Sequence, residues 1–129
     1  MATVGRQDQK HILVVDDDDD IVEILGIVIE QMGNLPLKLT SAVSALDLIL
    51  HNHIDLAVID VTMGEISGLA LAESIRAKNI QFPIIIVSGN FSTDLGTYLW
   101  QLGITAVLPK PVLSATLTEA IESALRSAA

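Results

Sequence analysis

The segment Ile54–Ile59 is apolar almost throughout and lacks the alternation of a strand with one wet face. Such a strand needs cover on both sides, and the usual cover is a layer of helices on each face of a parallel sheet. Further strand-like runs lie at 11–15, 35–40, 84–87 (opened by Pro83) and 104–108, and each is followed by a stretch with helical spacing. Apolar residues at 21, 24, 25, 28 and 32 predict one buried helical face, closed by Gly33-Asn34. Val22, Ile27 and Ile29 then lie off that face and are expected to be exposed. Ser41 caps a second helix carrying Val43, Leu46, Leu48, Ile49 and Leu50, and Ser67 a third with Leu69, Leu71, Ala72, Ile75 and Ala77. A fourth helix runs from about 92 to 102 and stops at Gly103. The last spans 114–127, with Leu117, Ala120, Ile121 and Leu125 at core spacing. Strand followed by helix, five times over, predicts parallel pairing through right-handed crossovers and a three-layer α/β sandwich, (βα)5.

At 129 residues the chain fits one domain. Residues 1–10 are polar and read as a flexible N-terminal tail, leaving 11–129 as the folded domain. Half of the residues are hydrophobic and the mean hydropathy is +0.55. The apolar residues come in short blocks, and the longest clean run, Ile24–Ile29, falls far below the ~20 residues of a membrane span. No membrane insertion is expected, and the tail lacks the apolar core of a secretory signal, so a cytoplasmic location is expected. The net charge of −9 repels nucleic-acid phosphate, which argues against direct nucleic-acid binding. With no cysteine there is neither a disulfide framework nor thiolate chemistry. His51 and His53 flank Asn52 between a helix and a strand, where such a pair reads as a solvated turn rather than a metal site.

Residues able to do chemistry stand where the apolar runs stop. Asp16 and Asp17 follow the first run, Asp60 the third and Ser88 the fourth, and Lys110 comes just after the fifth. In an open parallel sheet the carboxyl ends of the strands share one edge, so these residues are expected to meet. The five acids Asp16–Asp20 would by themselves be a solvated patch. At a strand-to-helix junction, however, Asp16 and Asp17 face the ligand edge, and Asp18–Asp20 enter the first helical turn, where the dipole favours them. Crowded carboxylates raise one another's pKa unless a cation offsets them, and a hard oxygen-seeking ion such as Mg²⁺ suits that donor set. A carboxylate beside such an ion can act as a nucleophile toward phosphorus. Ser88 can instead cap a helix or, with Gly89 leaving room, hydrogen-bond a phosphoryl oxygen. Lys110 can bring its point charge to the same group.

Taken together, Ile12-Leu13-Val14-Val15-Asp16-Asp17, Asp60 with Met63 and Gly68, Ser88-Gly89 and Lys110-Pro111 resemble the receiver domain of two-component response regulators, from Ile12 to about Leu125. The resemblance implies a flavodoxin-like parallel sheet of order 2-1-3-4-5 and a cis peptide at Lys110-Pro111. It implies that Asp60 takes a phosphoryl group from a phosphohistidine on a sensor histidine kinase or histidine phosphotransfer protein. Ser88 and Lys110 would assist, and Mg²⁺ or Mn²⁺ would be held by Asp17, Asp60, the Thr62 carbonyl and, through water, Asp16. Such a domain catalyses its own phosphorylation and dephosphorylation rather than turning over as a conventional enzyme. Kinase or phosphotransfer partners are expected near the first helix. No output domain is read in this chain.

Three positions depart from the family's pattern. Gly64 replaces a common proline, Val107 a common Tyr or Phe, and Val112 a frequent aromatic. An aromatic swing at 107 therefore cannot carry the signal, and the loop after Ser88 with the helix bearing Tyr98 and Trp100 is the alternative carrier; these aromatics either form part of an output or homodimer face or merely cover the sheet. The competing reading is a pseudo-receiver that signals by protein contact without phosphate. A haloacid-dehalogenase-type phosphatase is disfavoured because Thr62 stands where a second acid is needed. A flavodoxin-like cofactor protein is disfavoured because acids replace a phosphate-cradling loop.

Overall fold

A computed structural model describes residues 9–61, 68–89 and 92–128. The predicted alternation is present in full: β1 (His11–Val15), α1 (Asp19–Gln31), β2 (Leu35–Leu39), α2 (Ala42–His51), β3 (Leu56–Asp60), α3 (Gly68–Ala77), β4 (Ile84–Ser88), α4 (Thr93–Gln101), β5 (Ala106–Pro109) and α5 (Ser114–Ala128). All strand pairs are parallel, in the order β2-β1-β3-β4-β5. The proposed tail is outside the described residues except for its last two. None of the described helices is long and apolar enough to cross a membrane.

Alternate residues of each central strand feed two separate cores. Leu13, Val15, Ala57, Ile59, Ile84 and Ile86 pack against α2, α3 and α4. Ile12, Val14, Leu56, Val58, Ile85 and Val87 pack against α1 and α5. β3 and β4 are buried at every position, as uninterrupted apolar strands must be. Helix ends follow their local chemistry: Ser41 and Ser92 accept backbone N–H bonds from Ser44 and Leu95. The Ser67 cap lies outside the described residues. Gly33 and Gly103, at φ +86° and +78°, end α1 and α4 in the left-handed conformation that glycine adopts freely.

One expectation fails in α1. Val22, Leu25, Val28 and Ile29 are buried, whereas Ile24 is 54% exposed and Ile27 51%. The buried stripe is thus turned from the expected one: Val22 and Ile29 point inward and Ile24 outward. A helix this rich in apolar residues offers several stripes of similar strength, and tertiary packing selects among them. Gly26 contributes to that selection. A Cβ there would lie 2.8 Å from Lys38 Cδ, so its absence lets the lysine stem of β2 cross α1 on the way to Glu23, 3.0 Å away.

Two further devices fasten the helices. A Cβ on Gly68 would overlap the carbonyl oxygen of Asp60 and stand 2.7 Å from Ile59 Cγ2, so glycine alone lets α3 start against the end of β3. At the opposite sheet edge the Arg76 guanidinium donates to four carbonyls, Ile80 (2.8 Å), Phe82 (3.0 Å), Gly103 (3.1 Å) and Leu102 (3.2 Å). It joins the α3–β4 connection to the end of α4. Gly68→Ala is expected to destabilise by about 1–3 kcal/mol through overpacking, measured by urea denaturation. Arg76→Lys should cost about 2 kcal/mol in the same assay, because an ammonium cannot span four carbonyls as a planar fork does.

Candidate functional site

Parallel register carries the predicted residues to one edge. Asp60 pairs with Val87 and Ser88 with Pro109, and the Lys110 backbone N–H donates to the Ser88 carbonyl at 3.0 Å. Asp16 extends β1 by one residue, its backbone N–H donating to Leu39 at 3.2 Å. Asp16, Asp60 and Ser88 are each only 2% exposed, which for the two carboxylates is unusual and marks them as enclosed rather than solvating groups. Asp17 is exposed. The Lys110–Pro111 peptide is cis.

The carboxylates of Asp16, Asp17 and Asp60 each offer an oxygen within 4.8 Å of the others. Lys110 Nζ donates to Asp60 Oδ2 at 2.9 Å and lies 3.9 Å from Asp16 Oδ2. Asp18 does not enter the helix as expected. It is the N-cap, its carboxylate accepting from the Asp20 N–H at 2.9 Å, while Asp19 and Asp20 form the acidic first turn. Its own N–H donates to Asp16 Oδ1 at 3.0 Å, which fixes the inward acid.

Electrostatics follow from this crowding. Burial pushes the Asp16 carboxyl above its ordinary value; the Asp18 N–H and Lys110 oppose that, while Asp60 and Asp17 add to it. Burial works against the Lys110 charge, but the hydrogen bond and charge of Asp60, with Asp16 and Asp17 behind it, hold the ammonium pKa above the usual lysine range. Lys110 therefore remains a cation at neutral pH. The donor set is all carboxylate oxygen, with no nitrogen or sulfur, and so fits a hard divalent ion.

Ser88 is the buried last residue of β4, and the cap of α4 is Ser92, so the helix-capping alternative for Ser88 does not hold. Gly89 leaves its surroundings open, the nearest atom to a Cβ there being Lys110 Cδ at 3.9 Å. Thr62, Met63 and Gly64 lie outside the described residues, so the Thr62 ligand is untouched by this geometry. The two histidines part company: His51 Nδ1 is 2.8 Å from the Asp47 carbonyl, and His53 Nε2 is 2.8 Å from Asp55 Oδ1. Val107 is half-buried against the core. Trp100 is 79% exposed and so does not cover the sheet, while the Tyr98 hydroxyl donates to Glu73 of α3.

Comparison with known proteins agrees with this geometry. The family profile described as "Response regulator receiver domain" matches residues 12–122. The chain is 31% identical over 118 residues to the transcriptional regulatory protein FixJ of Bradyrhizobium diazoefficiens, covering 92% of this chain and 58% of that protein. To the transcriptional regulatory protein GlrR of Escherichia coli it is 29% identical over 119 residues, covering 92% of this chain and 27% of that protein. It thus spans only about a quarter to a little over half the length of these relatives. Among solved structures, a CheY-like response regulator receiver domain protein from Methanospirillum hungatei JF-1 superposes with TM-score 0.87 at 27% identity, covering 92% of this chain and 95% of that one. The receiver domain of the Francisella response regulator 1452 gives TM-score 0.88 at 28% identity, covering 94% and 100%.

Folding raises the Asp16 pKa above 3.8, so the native state keeps that proton at pH values where the unfolded chain has lost it. The Asp16 contribution to stability therefore falls as pH rises from 3.8 through the folded value. Asp16→Asn should accordingly raise the melting temperature in EDTA by a few degrees at pH 7. Millimolar Mg²⁺ should stabilise the wild type, and the same change should shrink that effect, both read by differential scanning fluorimetry.

Proposed function

This chain belongs to the response regulator receiver domain family, and we propose that it acts as a phosphoacceptor in two-component signalling, with Asp60 as the residue phosphorylated. The observation that carries this reading is the Lys110 ammonium 2.9 Å from a buried Asp60 carboxylate that shares its cage with Asp16 and Asp17. Asp17 and Asp60, with the Thr62 carbonyl and with Asp16 through water, would hold Mg²⁺ or Mn²⁺. Such an ion, when bound, supplies positive charge that offsets the carboxylates and the phosphoryl oxygens.

The chain's own residues do the rest. An Asp60 oxygen attacks phosphorus while the bond to the donor's leaving atom breaks in line with it. Lys110 and the Ser88 hydroxyl attend the phosphoryl oxygens, positioning the group and balancing its charge, so no general base is required. Ser88 belongs here because it is buried at the same edge and is not the cap of a helix.

The donor is a phosphohistidine of a sensor histidine kinase or histidine phosphotransfer protein. Its docking surface includes the outer face of α1, where Ile24 stands exposed beside the acid cage and Ile27 stands exposed further along the helix. Signal output uses α4, since Val107 has no ring to swing; Trp100 makes that helix the contact for an output partner or a homodimer. The pseudo-receiver reading is not favoured, because it leaves the assembled acid and lysine set without a use.

Incubation with acetyl phosphate and Mg²⁺ should add the mass of one HPO₃, read by intact mass spectrometry, with no gain in Asp60→Asn. Lys110→Ala should slow the gain by about a hundredfold, the order of effect of removing one preorganised charge-stabilising group. A wild type that gains no mass from any donor would overturn the phosphoacceptor role.

A further inference from the structure

The acid cage is one end of a larger cavity of about 580 Å³, whose other end is apolar. Ile21, Ile24 and Leu25 of α1 form one wall, Pro111 and Val112 form the other, and Val87 lines it from the sheet. Ile24 is more than half exposed and faces this space together with Asp17 and Lys110. A cavity of that volume is the size of a small-molecule site, and a few polar groups converging at one end of an apolar wall is the usual make-up of one.

We propose that this apolar shelf receives the leaving group of the phosphodonor, so that among free acyl phosphates the protein prefers those with an apolar or aromatic acyl part. The inference rests on the phosphoacceptor reading of Asp60. In-line displacement requires the leaving group to lie on the far side of phosphorus from the attacking oxygen. Asp60 attacks from the buried floor, so the leaving group points out of the cage into the cavity, where the α1 wall and Val112 flank it. Val112 is short enough to leave that space open. The step balances without proton transfer: an Asp60 oxygen bonds to phosphorus, the bond from phosphorus to the acyl carboxylate oxygen breaks, and its electron pair leaves with the carboxylate.

Benzoyl phosphate and acetyl phosphate separate the outcomes. Their leaving carboxylates are of similar acidity, so intrinsic reactivity is closely matched and the difference reports the shelf. Covering about 55 Å² of a phenyl ring at ~25 cal/mol per Å² corresponds to a tenfold gain in the second-order rate of mass increase. The wild type should therefore take phosphate from benzoyl phosphate about ten times faster than from acetyl phosphate. Ile24→Ser and Val112→Ser should each bring that ratio toward one, and two variants on separate elements guard against a folding defect in either. Equal rates from both donors in the wild type, or a ratio that neither substitution moves, would overturn the shelf and leave the Asp60 role standing. No mass gain from either donor would overturn both.

Discussion

Three carboxylates held within 4.8 Å at the end of an apolar sheet repel one another, and two of them have almost no water to screen them. The Lys110 ammonium, 2.9 Å from Asp60 and 3.9 Å from Asp16, offsets part of that repulsion in the described structure. Burial, with the charges of Asp60 and Asp17 adding to it, still holds the Asp16 pKa above its ordinary value. A cage with unbalanced negative charge is poised to take a cation, and a cage with a cation in it can tolerate an arriving phosphoryl anion. The order of strands follows the same requirement: β1 and β3 are neighbours, so their acids adjoin, and β5 lies beyond β3 with only β4 between them, within reach of a lysine stem.

Much of this was legible from residue pattern alone because two signals agreed. The uninterrupted apolar runs imposed a covered parallel sheet, and the chemistry-bearing residues fell at the ends of those runs. Element order and the meeting of Asp16, Asp60, Ser88 and Lys110 follow from that coincidence. The phase of α1 was not legible, because Val22, Ile24, Ile27 and Ile29 are equally apolar and only the packing partners distinguish them. The role of Arg76 was invisible for a different reason. Its four partners are backbone carbonyls from two connections, and backbone groups carry no sequence signal. Gly68 stood out by resemblance, but its reason, the carbonyl of Asp60 lying where a Cβ would go, is a matter of coordinates.

The site edge and the opposite edge are built differently. At the opposite edge Arg76 binds two connections together, and the Tyr98 hydroxyl pairs α4 with Glu73 of α3. Both ties grip the later half of α4. Its first turn, capped by Ser92, is the part nearest in sequence to Ser88 and lacks such ties among the described contacts. A push arriving from the site edge thus meets a helix clamped at its far end, whose Leu95 packs, like Val107 of β5, against the core.

Lys38 crossing Gly26 bears on a problem outside signalling. β2 is an outer strand, and an outer strand offers its spare backbone groups to any neighbouring chain, a hazard in a protein whose mean hydropathy is +0.55. Pro36 has no N–H to lend to a growing ladder, and the ammonium of Lys38, drawn over α1 toward Glu23, puts a charge at that margin. The glycine that makes room for a lysine stem thereby helps keep a greasy sheet from propagating into its neighbours.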